Sequence, residues 1–345
     1  MEVSDAVGVL TSHGDSCFTY GTDLFAETCL NPEDVLVPYP SPPAEPARES
    51  FLSMPPAVSQ SDTSGSENTI SISTSFNPTS YPARPNLIFS TSDMVLFYAH
   101  SQMLGCFPSE AFGKVLWGQT EDHTSMTGSD VIHQISDSSA VFNVILHALY
   151  GTSPARNSPS FEILAAAVGR MQFYGMNPKD VITTLTPLYH LLLSYAPLFP
   201  LDLYSLAGHY GLESLAVATS SHLLSYPILS ISDEMAERMG PLYLKRLFRL
   251  HFSRINALKQ TLLTAPYPHP PTKECTFTQQ KALTRAWALA SAYLTWDARP
   301  DLSTSIIRKT FEPLSELLTC ELCRSTLEKS LNDSINQWAS VKPTI

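Results

Sequence analysis

Cys320 and Cys323, two residues apart, and Cys275 with His269 in a Pro-rich stretch upstream are the residues here whose types and spacing suit a metal ion. Thiolates in a Cys-x-x-Cys pair reach one ion from a single turn of chain. One further Cys and an imidazole then close a tetrahedral set, the donor chemistry of structural zinc. Such a site would pin the loop 265–274 onto the last long helix. Two alternatives stay open. His251 competes with His269 for the fourth position, and without metal Cys320 and Cys323 would lie on one helical face beside Leu317 and Leu327 as small buried apolar residues.

Other chemistry is sparse. His100 stands among aromatic residues with no charged partner in view, and a strand-to-helix junction with a hydrogen bond to backbone is expected for it. No Gly-x-Ser-x-Gly elbow, phosphate-cradling Gly-Lys-Ser/Thr loop, Gly-x-Gly-x-x-Gly or His-Glu-x-x-His motif occurs. A non-enzymatic protein is therefore expected. Between 238 and 259, Arg238, Lys245, Arg246, Arg249, Arg254 and Lys259 alternate with Leu242, Leu247, Leu250, Ile255 and Leu258. That pattern predicts an amphipathic helix with a basic face, either solvated or docking an acidic partner such as the chain's own N-terminal segment. Trp287, Trp296 and Trp338 are expected in the core, as are Phe112, Leu116 and Trp117 at helical spacing.

The elements that must position these residues follow from composition. In 345 residues, hydrophobic content is 43% and charged content 15%. The net charge is −11, and residues 1–85 hold eleven acidic residues against Arg48 and Arg84, so the rest is nearly neutral. A near-neutral body offers no basic stripe for a phosphate backbone, which argues against direct nucleic-acid binding. No apolar run approaches the length of a membrane span and the N-terminus lacks a signal-peptide pattern, so an intracellular protein of cytoplasm or nucleus is expected. Six cysteines (Cys17, Cys29 and Cys106 besides the three above) are too few for a disulfide framework at this length.

Residues 1–85 carry eleven of the 27 prolines and no Lys. This stretch is expected to be a disordered acidic Pro/Ser-rich tail. Within it, 25–39 mixes acidic and apolar residues as docking or activation segments do, and an ordinary linker with scattered apolar residues is the reading its composition favours. Two β-prone runs at 86–90 and 94–98, separated by Thr91, Ser92 and Asp93, predict a hairpin. A helix at 109–117, a polar loop with Gly118 and Gly128, a strand at 131–135 and a helix at 140–150 follow, the last with Asp137, Ser138 and Ser139 as cap candidates. From 161 the pattern is helical: 161–173, 186–194, 201–224 with a break near Gly211, 232–263, 279–296 and 303–338 with a kink near Pro313. The fold class is α+β, a small sheet with helices over 86–225 and an all-α region over 226–345.

The opening NLIFS and MVLFY pair, FYAHSQML (97–104) and SEAF (109–112) resemble the head of a BTB/POZ domain, and the order of strands and helices is that family's. DEMAERMGPLYLKRLFRLH (233–251), TRAWALASAYLTWDARPDLS (284–303), CELC (320–323) and QWASVK (337–342) are similar to a fungal, basidiomycete-type group of BTB-domain proteins. The resemblance implies an adaptor or scaffold that forms homodimers through its BTB core, with a cullin ubiquitin-ligase scaffold or a transcriptional co-regulator as partner. Asn86 stands where the family has Asp, and Gln119, Thr120 and Glu121 lack the apolar residue that cullin binders show. The alternative function is a transcriptional regulator acting through the acidic tail and a DNA-binding partner.

Overall fold

Two short, continuous apolar runs either side of residue 92 build the centre of a small mixed sheet of four strands, β1 (Ser71–Ile72), β2 (Leu87–Ser90), β3 (Val95–Ala99) and β4 (Ile132–Gln134), in the spatial order β1-β3-β2-β4. The computed structural model describes residues 70–104, 112 and 132–345. β2 and β3 form the expected antiparallel hairpin with Phe89 opposite Phe97, while β1 joins β3 and β4 joins β2 in parallel. Phe89 and Phe97 both lie against Phe142, with ring centroids 5.4 and 5.3 Å from it. The hairpin turns through Met94, which takes the left-handed φ of 60° that closes a three-residue loop.

Asp93 at this turn accepts from the Ser139 backbone N–H (2.9 Å) and the Ser139 hydroxyl (2.6 Å). The cap of the following helix thus comes from the hairpin, and Ser138 makes no side-chain cap bond. Asp137, a cap candidate by sequence, instead accepts from Arg170 Nε (2.8 Å) and the Tyr174 hydroxyl (2.6 Å). Asn86 ties the start of β2 to Ser101: its Oδ1 accepts from the Ser101 N–H at 2.9 Å and its Nδ2 donates to the Ser101 hydroxyl at 2.8 Å.

The boundary expected at 85 moves toward the N-terminus. Ser71 and Ile72 pair with Val95 and Leu96, and Phe76 is fully buried with its ring beside Phe97, His147 and Tyr150. Two aromatics, Phe76 and Tyr81, give this stretch the apolar surface that offsets the entropy of ordering. The rest of the expected tail (1–69), Cys17, Cys29, Cys106, the helix at 109–117 apart from Phe112, and residues 118–121 lie outside the described residues. Phe112 is buried as expected.

Helices are α1 (Ser101–Leu104), α2 (Ser139–Leu149), α3 (Phe161–Arg170), α4 (Pro178–Val181), α5 (Pro187–Ser194), α6 (Pro200–Tyr210), α7 (Glu213–Ser220), α8 (Asp233–Leu263), α9 (Phe277–Trp296), α10 (Thr304–Phe311) and α11 (Glu321–Ser340). Two buried clusters organise them. One extends from Phe76 to Leu247 and the other from Leu258 to Trp338. The change of core therefore falls inside α8 rather than at 225, because α8 carries an apolar stripe long enough to serve both. α8 is itself two helices in series: Gly240 has φ 77° and ψ 161°, and Pro241 begins the second half, where a missing N–H does no harm.

Candidate metal centre

Three local structures bring the predicted donors together. Thr276 caps α9 in a reciprocal box with Gln279, whose Oε1 accepts from the Thr276 N–H at 2.7 Å, and this fixes Cys275 one residue ahead of the cap. A tight turn holds Cys275 from the other side: its N–H donates to Thr272 Oγ1 and its carbonyl accepts from the Thr272 N–H, both at 3.0 Å. Cys320 is the N-cap position of α11 and Cys323 lies in its first turn, so both sulfurs point out of one helix start. The Pro-rich loop delivers His269.

The donor atoms of His269, Cys275, Cys320 and Cys323 all lie within 4.8 Å of one another. Cys275 Sγ is 3.6 Å from Cys323 Sγ, and His269 Nε2 is 3.2 Å from Cys323 Sγ and 3.4 Å from Cys320 Sγ. Zn–S and Zn–N bonds of about 2.3 and 2.0 Å at a tetrahedral angle place S···S at about 3.8 Å and S···N at about 3.5 Å. These three separations lie within a few tenths of an ångström of that geometry, and the wider pairs, up to 4.8 Å, would close by about 1 Å around a single ion. His269 is oriented for it. Its Nδ1 lies 2.7 Å from the Pro270 carbonyl, and in the tautomer that donates there Nε2 keeps its lone pair toward the sulfurs. Gln280, buried one turn into α9, donates to the His269 carbonyl at 2.9 Å.

Electrostatics divide the Cys-x-x-Cys pair. The backbone N–H of Cys323 foremost pulls the Cys320 thiol down to about 7, whereas burial, then Cys275 and Cys320, push Cys323 up. A cation among these sulfurs would remove that penalty, since metal-bound thiols are deprotonated. The neighbouring void, lined by Pro266, Leu283 and Thr326 among others, is only about 10 Å³. That is scarcely space for one water.

The remaining candidates divide. His251 stands apart from the cluster, its Nε2 3.0 Å from the Leu223 carbonyl. The metal-free alternative holds only in part: Cys323 packs with buried Leu327, but Leu317 is exposed and Cys320 precedes the helix. His100 sits at the junction of β3 and α1 with Nε2 2.9 Å from the Ala83 carbonyl, as expected, and Nδ1 2.9 Å from the Tyr150 hydroxyl. The basic face of α8 is interrupted: Arg246 meets Glu213 at 2.6 Å, and Arg254 is buried. Trp287 and Trp338 are core residues, but Trp296 is 93% exposed because it lies off the buried face that ends at Leu294. Thr272 and Gln280 escaped the sequence reading, since neither type signals a metal site.

No protein-family model, curated protein or solved structure matches this chain.

Proposed function

We propose that this chain is a non-enzymatic interaction protein. Its sheet-bearing half acts as a BTB/POZ-type module for partner binding and self-association, and its helical half is clamped by one structural zinc ion on His269, Cys275, Cys320 and Cys323. The observation that carries the reading is the closed donor set: three sulfurs and one imidazole fill a tetrahedron, which suits a structural ion rather than a catalytic one. Support for the module comes from the hairpin, the third strand added parallel to β2, and the helices that follow. A cullin scaffold and a transcriptional co-regulator are the partner classes in view.

Metal analysis of the purified full chain tests the clamp. One zinc per chain is expected, reduced to well below one in Cys323→Ser, and chelation should lower the Tm by about 10 °C. Equal metal content in wild type and variant would remove the zinc. For self-association, sedimentation at micromolar concentration should show a dimer; a strict monomer would defeat that part.

A further inference from the structure

The three sulfurs of the metal centre are not equally sheltered. Cys275 and Cys323 are buried, at 1% and 3% exposure, whereas Cys320 is only partly covered. Local structure divides them in the same way. Cys275 is held between its turn to Thr272 and the capping box of α9, and Cys323 lies inside the first turn of α11. Cys320 precedes that turn with extended backbone, φ −90° and ψ 125°, and its side chain makes no cap bond. The sulfur that solvent reaches most readily is therefore also the one least tied by its own stretch of chain.

We propose that Cys320 is a site of oxidation by hydrogen peroxide and that its bridging to Cys323 opens the clamp, an inference that rests on the zinc reading above. Oxidation selects sulfurs by thiolate character and by access, and access here favours Cys320. In the first step the Cys320 sulfur attacks peroxide: an S–O bond forms, the O–O bond breaks, and the departing hydroxide takes a proton to become water. In the second the Cys323 thiolate attacks the Cys320 sulfur: an S–S bond forms, the S–O bond breaks, and a second hydroxide is protonated and leaves. Two thiolates thus give up two electrons, and one peroxide with two protons becomes two waters. The Cys320 and Cys323 sulfurs lie within 4.8 Å of each other, so a bond of about 2 Å closes a gap of less than about 3 Å, by movement at the residue ahead of the helix.

The bridge leaves Cys275 and His269 as donors, short of the four that a structural site uses. The ion is then lost. The loop 265–274 keeps the bond from Gln280 to the His269 carbonyl but loses its tie to α11. An oxidant is thereby converted into release of a metal ion and of the loop that it held, and a thiol reductant with zinc reverses the change.

Zinc-loaded full chain treated with a few equivalents of hydrogen peroxide tests the assignment. Released zinc is followed with a chromogenic chelator against a peroxide-free control, and modified residues by peptide mapping, which keeps Cys17, Cys29 and Cys106 apart. With dimedone present to trap sulfenic acid, Cys320 should carry at least about tenfold more label than Cys275 or Cys323. Without the trap, a Cys320–Cys323 bridge should form in step with release of the zinc, and reductant with added zinc should restore the metal content. A first label on Cys275 or Cys323, or a bridge of any other pairing, overturns the proposal. Zinc retained in full while Cys320 stays reduced also overturns it and leaves the clamp standing. A chain that holds no zinc before peroxide removes the clamp and the release step together, and label at Cys320 distinguishes that failure from a wrong choice of sulfur.

Discussion

Gly240 takes φ 77° and ψ 161°, backbone that residues with a Cβ scarcely populate, and a Cβ there would meet nothing within 4 Å. Gly240→Ala therefore isolates backbone strain from crowding, and a loss of about 1 to 3 kcal/mol in denaturant unfolding is expected. Gly208 differs: a Cβ would come 2.6 Å from the Met239 carbonyl oxygen, so Gly208→Ala must push α6 and α8 apart. Protonation acts at single residues too. Burial holds His147 and His251 below the ordinary imidazole value, so the folded state binds fewer protons than the unfolded chain. Their contribution is complete above about pH 6.5 and is lost as pH falls through the folded values. The Tm should fall from pH 7 to pH 5.5 in metal-free as well as metal-bound protein, and by less in His251→Gln; an unchanged fall would mean that His251 contributes nothing.

At the scale of elements, Arg254 of α8 joins three segments. Its Nε donates to the Pro300 carbonyl at 2.7 Å, and one terminal nitrogen donates to the carbonyls of Val341 at 2.6 Å and Lys342 at 3.2 Å. The guanidinium also lies 4.3 Å from the ring centroid of Trp338, whose indole N–H donates to the Leu302 carbonyl at 2.7 Å. Arg254→Met keeps most of the stem but strips three carbonyls of their donor. A cost of about 3 kcal/mol is expected by chemical denaturation, with the segment after α11 losing protection from hydrogen exchange first. Such an element-level role was invisible in the sequence, where Arg254 is one of six basic residues at similar spacing. What separates it from solvated Arg249 is burial by residues 46 and more positions distant.

Across the whole molecule, local pattern was legible and long-range choice was not. The hairpin, the helices from 139 onward and the gathering of His269 with three cysteines could be read because periodicity and a Cys-x-x-Cys pair are short-range signals. The break at Gly240 was missed although Gly-Pro stands in the sequence, since the amphipathic stripe continues past it. β1 and the burial of Phe76 were missed because Ser- and Pro-rich composition hid two aromatics whose partners lie along β3 and α2. Trp296 looked like core by type alone, and only the register of α9 sends it outward. Choice of His269 over His251 likewise depended on where α8 carries His251, beneath Leu223.

Because α8 supplies Leu247 to one buried cluster and Leu258 to the other, a single rod of backbone runs through two oily interiors. Neither interior can melt without stripping that rod of half its support. Heat should consequently dissolve both in one calorimetric endotherm, and the amides between Leu247 and Leu258 should be the last to trade their protons with solvent.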